Sequence, residues 1–519
     1  MARAVRMLSR SIERGLGGYR QAFVRADPNQ PRKLKRPLHV GIIGGGLAGI
    51  VSALALAERG AKVTLFEKEA HLGGKLGGWR EDFIEADGKT VSLPIDHGFH
   101  AYFPHYYNMN DWLARLGITN LAPIGEYRIL QRDRSVLSFN DSGKAPGLNV
   151  LGLAEQGLFG LKHVLPPTGR MMLLERFFRY HPERSFRDYD HTSFEAFIER
   201  ARLPKAIALV FTTFSRAFFA EPDRMSLAEL MKAFHFYYLS HDRGLIYDYL
   251  KEGYASGLIA PLRAHLDRLG VEVRLGTKVD HLAREGRGGD TERNGPGFRI
   301  GEQAFDDVIL AAPSVIARDI LMKSEFARRE APEFIAQIKH TPNGQRYAVL
   351  RLFADKRIDG GGPVFIATER VRLLDSITFL HRVDSELDAW AGPSRGVYEL
   401  HSYAVPDDVK DEEVATFLKR EFEHFYPEMI GANAVHEHLQ LKNDFSAYHV
   451  GLHANRPTTV TPIKGLLLAG DWVKLPMPAM LLEAACVSGL LAVNVIFARE
   501  GVAAENIDTV PLRGLLSRR

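Results

Sequence analysis

The 519-residue sequence predicts an α/β protein whose first folded unit is an open parallel sheet. Near the N-terminus, the apolar run Val40–Ile43 leads into a glycine-rich turn, an apolar helix and a second apolar run, 62–66. Near the C-terminus, the apolar run 465–469 leads through a Gly-Asp pair into another apolar helix, 479–497. Apolar strands that alternate with helices in this way are typical of a sheet whose faces are both covered by helices.

The glycine-rich turn after the first strand has the spacing of a dinucleotide-binding fingerprint. Gly44 permits the tight turn, Gly46 lets the backbone approach a pyrophosphate, and Gly49 lets the helix pack closely against the strand. The N–H groups of Leu47 and Ala48 open the helix, where the helix dipole favours phosphate. The turn therefore predicts a Rossmann-type fold that binds a dinucleotide.

Glu67 ends the second strand, about 20 residues after Gly46. A carboxylate at this distance binds the ribose hydroxyls, which indicates FAD or NAD rather than NADP. The continuation KEAHLGGK resembles the second FAD signature of the amine oxidase and carotenoid desaturase superfamily. The resemblance implies that Lys68, Gly74 and Lys75 lie near the pyrophosphate of FAD, where bare backbone approaches the cofactor and a cation neutralises phosphate. The superfamily usually has arginine in place of Lys75, so a point charge replaces a bidentate fork.

The same resemblance covers two more FAD contacts. In the superfamily, the C-terminal strand, Gly-Asp pair and helix hold the flavin end of the cofactor. Gly470 and Asp471 are therefore expected at the ribityl and pyrophosphate region, and the backbone at Met480 and Leu481 is expected to face the isoalloxazine ring. The backbone at Val279 is expected to contact the adenine. A helix N-cap or turn is the alternative role for Asp471.

The resemblance implies a glutathione-reductase-like FAD domain interleaved with a mixed α+β substrate domain, which suits a chain too long for one core. The expected order is a basic N-terminal arm (1–36), a first FAD-domain segment (37–110), a mostly helical region that faces substrate or membrane (111–250), a second FAD-domain segment (251–330), the substrate domain (331–440), and a third FAD-domain segment with a C-terminal tail (441–519).

The segment 95–108, IDHGFHAYFPHYYN, indicates the branch of the superfamily. It resembles the carotenoid desaturases, and most closely the isorenieratene-synthase type that aromatises carotenoid rings. The resemblance implies FAD-dependent desaturation of a carotenoid, with aromatisation of a β-type end ring and migration of a methyl group. The alternatives are a phytoene-desaturase-like enzyme, a squalene-pathway flavoenzyme that acts on hydroxysqualene and, as the weakest of the three, an amine oxidase.

Such a reaction requires a hydride acceptor, aromatic walls that stabilise a ring cation, and a base. His97 and His100 are the candidate bases, because imidazole titrates near neutral pH, and Asp96 is expected to orient a histidine. The alternative is that both histidines hydrogen-bond backbone and only shape the flavin pocket. The candidate walls are Phe99, Tyr102, Phe103, Tyr106 and Tyr107.

Composition excludes several other classes. A net charge of +4 without a basic face of interleaved aromatics argues against nucleic acid binding. The single cysteine, Cys486, rules out an intrachain disulfide and indicates a reducing compartment. No metal is expected, because the His-rich segments lack carboxylates at ligand spacing. The expected partner is a hydrophobic small molecule, and the sequence does not indicate an oligomeric state.

The first 36 residues carry ten basic residues against two acidic ones. Their apolar residues recur at helical spacing: Val5, Leu8, Ile12, Leu16, Tyr19 and Phe23. This pattern predicts an amphipathic arm suited to an anionic membrane surface, and a transit peptide or a solvated tail are the alternatives. The expected location is the cytoplasm, with peripheral contact to a membrane.

Overall fold

A computed structural model describes residues 11, 13, 18–139, 175–202, 205–244, 246–285, 297–358 and 361–517. The strands in these ranges are β1 (Gln21–Val24), β2 (His39–Ile43), β3 (Lys62–Phe66), β4 (Gly78–Ile84), β5 (Thr90–Asp96), β6 (Leu121–Pro123), β7 (Tyr127–Leu130), β8 (Val136–Phe139), β9 (Asp248–Leu250), β10 (Glu272–Arg274), β11 (Ala283–Glu285), β12 (Gly297–Ile300), β13 (Gln303–Phe305), β14 (Asp307–Leu310), β15 (Tyr347–Ala354), β16 (Phe365–Thr368), β17 (Ser376–Phe379), β18 (Gly396–Ser402), β19 (Ala434–Lys442), β20 (Leu466–Leu468) and β21 (Ile507–Thr509). The α-helices are α1 (Leu47–Glu58), α2 (Tyr107–Arg115), α3 (Arg184–Tyr189), α4 (Phe194–Ala201), α5 (Lys205–Arg216), α6 (Leu227–Phe234), α7 (Ala260–Arg268), α8 (Ser314–Lys323), α9 (Glu325–Glu330), α10 (Pro332–Ile338), α11 (Ser385–Ala391), α12 (Val414–Phe425) and α13 (Leu481–Glu500).

The predicted parallel sheet is present and has five strands in the order β10-β3-β2-β14-β20. All four neighbouring pairs are parallel. Helices α1 and α13 pack together so closely that a Cβ at Gly489 would lie 2.6 Å from the carbonyl oxygen of Ala48. The α/β class and the Rossmann-type arrangement are therefore confirmed.

The parallel sheet collects its strands from three separated stretches of the chain. Strands β2 and β3 come from the N-terminal stretch, β10 and β14 from the middle, and β20 from the C-terminal stretch. Such interleaving agrees with the expected split of the cofactor-binding domain into three segments. We propose the same division of the chain, with one change described next.

A second, mixed sheet has seven strands in the order β19-β15-β18-β17-β16-β7-β8. Its strand β15 is buried along its whole length, and α12 covers one face. Strands β7 and β8 come from the region predicted as mostly helical, and β7 runs parallel to β16. We therefore assign 127–139 to the substrate domain rather than to the helical region.

The N-terminal arm is attached to the C-terminal segment. Strand β1 pairs with β21 in an antiparallel ladder, so Phe23 lies in a strand and the predicted helical spacing is wrong at this position. Arg20 and Arg25 both pair with Asp508. These contacts neutralise some of the arm's basic charge. Val5, Leu8, Ile12 and Leu16 lie outside the described residues.

One helix in the described ranges, α13, is long and apolar enough to cross a membrane by length and composition. Most of it is buried inside the protein, where it packs against α1 beneath the parallel sheet. Its burial shows that this helix serves the core.

Candidate active site

A single cavity of about 1290 Å³ connects the edge of the parallel sheet with the seven-stranded sheet. One end lies at the carboxyl ends of β2 and β3, where the glycine turn and Glu67 line it. The other end is lined by aromatic side chains. Ligands bind at this edge of open parallel sheets, because the loops that follow the strands form a crevice there.

Two of the fingerprint glycines have no space for a side chain. Gly44 has a φ of +110°, and a Cβ would lie 2.6 Å from the carbonyl oxygen of Ala311. At Gly49, a Cβ would lie 2.0 Å from the carbonyl oxygen of Gly44, so only glycine lets α1 approach β2. Both positions have the geometry that the fingerprint predicts.

Gly46 differs, because it faces open space. A Cβ there would meet no protein atom closer than the carbonyl oxygen of Gly73, at 4.0 Å, and Gly46 lines the cavity. Leu47 and Ala48 also line the cavity, and they occupy the first turn of α1, whose N–H groups lack partners within the helix. The arrangement forms a cradle for an anionic group at a helix N-terminus.

The second glycine cluster packs directly on this turn. The N–H of Gly73 donates to the carbonyl oxygen of Gly45 at 2.8 Å, and a Cβ at Gly74 would lie 3.2 Å from the Cα of Gly46. The carboxylate of Glu67 is held by the N–H groups of Gly45, at 2.7 Å, and Glu69, at 2.9 Å. The acid predicted to bind ribose is thus fixed at the mouth of the turn.

Lysine and aspartate side chains meet farther along the cavity. Lys75 Nζ lies 3.9 Å from Asp471 Oδ2 and 4.1 Å from the centre of the Phe445 ring. Gly470, with a φ of +131°, donates its N–H to Ser488 Oγ at 2.7 Å and so fixes the turn before Asp471. Both residues of the Gly-Asp pair line the cavity.

Of the four remaining predicted contacts, three line the cavity and one does not. Lys68 and Val279 line the cavity at its nucleotide end, and Lys68 pairs with Glu69 at 3.1 Å. Leu481 lines it too and has a φ of +48°, a strained conformation for a residue with a side chain. Met480 is fully buried at the N-cap of α13 and does not line the cavity. Of the expected isoalloxazine pair, only Leu481 reaches the wall.

The model of the flavin containing amine oxidoreductase family matches residues 47–497 of the chain. The chain belongs to this family. It is an FAD-dependent oxidoreductase, and the open cradle at Gly46, the fixed carboxylate of Glu67 and the cation of Lys75 fit the phosphates and ribose of FAD.

Relatives of known name share most of the chain's length. Carotenoid phi-ring synthase from Streptomyces griseus is 33% identical over 484 residues, which are 92% of this chain and 90% of that protein. The protein of the same name from Chlorobaculum tepidum is 29% identical and covers 93% of this chain and 92% of its own length. Among solved structures, putrescine oxidase bound to putrescine matches with a TM-score of 0.63 over 89% of this chain and 100% of that chain. At 15% identity, this last match shows the fold alone.

The flavoenzyme's two predicted bases both line the cavity. His97 Nε2 lies 2.9 Å from the hydroxyl of Tyr347, and His100 Nδ1 lies 2.6 Å from the carbonyl oxygen of Gly98. Because a carbonyl only accepts, His100 carries its proton on Nδ1, and its Nε2 is unprotonated. Burial lowers the pKa of His97 well below its usual range and that of His100 to about 4, so both are neutral at pH 7.

Asp96 does not orient either histidine. Its carboxylate accepts the backbone N–H of Tyr254 at 3.0 Å and lies 3.8 Å from Arg351, outside the main cavity. Burial raises the pKa of Asp96 to about 6. The predicted orienting role is therefore corrected to a structural one, because Asp96 ends β5 with its side chain turned toward Arg351 on β15.

Sequence reasoning missed a buried charged cluster beside the cavity. Arg351 and Glu399 form an ion pair at 2.6 Å, and both are almost completely buried. His401 Nε2 lies 2.9 Å from Glu399 Oε1, and His401 lines the cavity. One feature of the sequence could have indicated this cluster. Glu399 and His401 are two residues apart in an otherwise apolar strand, which places both side chains on the same face of the sheet.

The far end of the cavity is an aromatic chamber. Of the predicted walls, Phe99, Phe103 and Tyr106 line the cavity, whereas Tyr102 and Tyr107 do not. A π-helical turn, 235–239, adds Tyr237, whose hydroxyl lies 2.6 Å from that of Tyr106. Further aromatic lining residues are Tyr127, Phe214, Phe218, Tyr238, Tyr247, Phe365 and Tyr403. Within the described ranges, no cluster of three or more His, Cys, Asp or Glu is placed to hold a metal ion.

Proposed function

We propose that this protein is an FAD-dependent carotenoid desaturase that aromatises a β-type end ring with migration of a methyl group. The observation that carries the proposal is the continuity of one cavity from the FAD-binding turn to the aromatic chamber. Identity of 33% to a carotenoid phi-ring synthase over most of both chains supports the same class of substrate.

The residues that line the cavity have different proposed roles, according to where they lie in it. The turn at Gly46, together with Glu67, Lys75 and Asp471, would hold FAD, which when bound supplies the hydride acceptor. The aromatic chamber excludes water from the ring and presents π faces to a developing cation, which such faces attract most strongly when water is absent. His97 and His100 remain the candidate acceptors of the ring proton.

We expect a carotenoid-producing host that expresses the chain to accumulate a pigment with an aromatic end ring. Methyl migration retains every carbon, so the product should have the carbon count of its precursor and fewer hydrogens. Mass spectrometry and proton NMR of the extracted pigment measure both properties. A host that expresses Gly46→Val, in which a side chain would occupy the proposed pyrophosphate cradle, is the control and should keep its original pigments.

Other products would identify the alternatives. Longer conjugation without an aromatic ring would indicate linear desaturation of the phytoene-desaturase kind. Hydrogen peroxide formed from putrescine or benzylamine by the purified protein, with unchanged pigments in the host, would indicate an amine oxidase and contradict the proposal.

We also propose that the protein acts in the cytoplasm in peripheral contact with a membrane, which holds the water-insoluble substrate. Deletion of 1–17 removes four arginines and leaves β1 paired with β21. We expect binding to anionic vesicles at low salt to weaken at least about tenfold, because each basic residue near the surface contributes about 1 kcal/mol. Vesicle sedimentation measures this, and neutral vesicles are the control. Equal binding by both forms would remove the arm from the proposal.

A further inference from the structure

A chain of hydrogen bonds runs along the wall of the cavity, from two buried side chains to a partly exposed carboxylate. The hydroxyl of Tyr347 lies 2.9 Å from His97 Nε2 and 2.8 Å from Asp444 Oδ1. His97 and Tyr347 are buried, whereas Asp444 is partly exposed and follows the exposed Lys442 and Asn443. All three members of the chain line the cavity.

The partners fix where each proton lies. Burial alone would raise the pKa of Asp444, but Lys75 and then His97 outweigh it and hold this pKa below its usual range. An ionised carboxylate only accepts, so Tyr347 donates its proton to Asp444. The tyrosine oxygen then accepts from His97 Nε2–H, which leaves His97 Nδ1 unprotonated on a ring that lines the cavity.

We propose that His97, Tyr347 and Asp444 form a proton relay that removes the ring proton in the desaturation. This inference rests on the proposed function. A C–H bond next to the cationic ring carbon breaks, its electron pair becomes the new ring double bond, and its proton bonds to His97 Nδ1. The Nε2 proton passes to Tyr347 as the tyrosine proton passes to Asp444, which releases it to solvent. FAD, which the turn at Gly46 would hold, would supply the acceptor for the hydride lost from the neighbouring carbon.

The relay separates His97 from His100. In His100, Nδ1 donates to the carbonyl oxygen of Gly98. A backbone carbonyl does not take up a proton and pass it on, so His100 is not part of a relay. Burial, and then the charge of Lys442, lower the pKa of His97, so an imidazolium there passes its proton on rather than keeping it. Burial also raises the pKa of Tyr347, so the hydroxyl transfers protons without a lasting phenolate.

Tyr347→Phe and Asp444→Asn test the relay in the FAD-loaded enzyme. The phenylalanine keeps the ring packing against Phe219 and Phe445. We expect unchanged FAD content and near-normal flavin bleaching by a β-ring carotenoid in a single turnover, but aromatic product formed at least about 100-fold more slowly. The double variant should be no slower than the slower single variant, because the two residues act in series. Loss of FAD from either variant, or product formed at the wild-type rate by both, would overturn the relay.

A second measurement needs no substrate. In protein labelled with ¹⁵N-histidine and assigned with a His97→Gln variant, NMR reports which ring nitrogen of His97 carries the proton. We expect Nε2 in the wild type and in Tyr398→Phe, a buried tyrosine whose hydroxyl bonds Lys356 away from the cavity, and a mixture in Tyr347→Phe. Protonation at Nδ1 in the wild type would overturn the relay. If the wild type makes no aromatic pigment, the proposed function fails, and the NMR result still decides whether the hydrogen-bond chain exists.

Discussion

Gly46→Val is expected to abolish FAD retention while leaving the fold intact. A Cβ at this position has 4.0 Å of clearance from the nearest protein atom, so the valine side chain starts in the open space of the cradle rather than in the packed core. The side chain then fills the cradle in which the pyrophosphate must approach bare backbone. We expect FAD affinity to fall at least about 100-fold, equivalent to about 2.7 kcal/mol, measured as flavin absorbance after gel filtration.

Two matched glycine variants separate loss of the cradle from loss of the fold. Gly361→Val places the same side chain in open space away from the cavity and should retain FAD. Gly49→Val drives a Cβ to within 2.0 Å of a backbone oxygen and should reduce the yield of folded protein. A yellow, fully loaded Gly46→Val protein would show that the pyrophosphate lies elsewhere.

Arg351→Met is expected to destabilise the protein by about 3–5 kcal/mol, because it leaves the buried carboxylate of Glu399 without its guanidinium partner. Glu399 is fully buried and only 2.6 Å from the guanidinium. Urea unfolding of the FAD-loaded protein, followed by circular dichroism, measures the effect. The exposed pair of Arg80 and Glu386 supplies the control, since Arg80→Met should cost less than about 1 kcal/mol.

The cost of Arg351→Met should also depend on pH. Burial alone would raise the pKa of Glu399, but His401 and Arg351 outweigh it and hold this pKa below its usual range. In the wild type, the ion pair therefore stabilises the fold at pH values above the pKa that Glu399 has in the unfolded chain. This contribution is lost as the pH falls through the lower pKa that Glu399 has in the folded protein. In the variant, Glu399 can take up a proton, so the stability difference should be larger at pH 8 than at pH 5. The double variant Arg351→Met/Glu399→Leu should recover most of the loss, and a double variant no more stable than the single one would contradict this account.

The elements that sequence analysis predicted correctly are those whose cause is local. The need for glycine at Gly49 can be predicted because its Cβ would meet the carbonyl oxygen of Gly44, a near neighbour in the chain, whereas the contact that excludes a side chain at Gly44 is with the distant Ala311. The strand before it and the helix after it follow from short apolar runs of the right length. Lys75 and Asp471 both line the cavity, and only the resemblance of their motifs to those of the superfamily indicated this. Their distance along the chain gives no information about how close they lie in space.

The features that sequence analysis missed depend on strand register and on distant pairing. Arg351 and Glu399 lie directly opposite each other on β15 and β18, a match set by the register of two strands. Phe23 satisfied a helical pattern, yet pairing with β21 overrides that local preference. Asp96 was expected to turn toward its sequence neighbours, but the buried guanidinium on another strand attracts it instead.

The origin of the parallel sheet in three separated stretches sets a constraint on biosynthesis. The glycine turn is made long before β20 and α13, which complete the sheet and cover α1. At about 5–20 residues per second, the N-terminal stretch waits on the order of half a minute for its partners. Its apolar strands lack their partners during that interval, so we expect stable FAD binding only after β20 and α13 have been made.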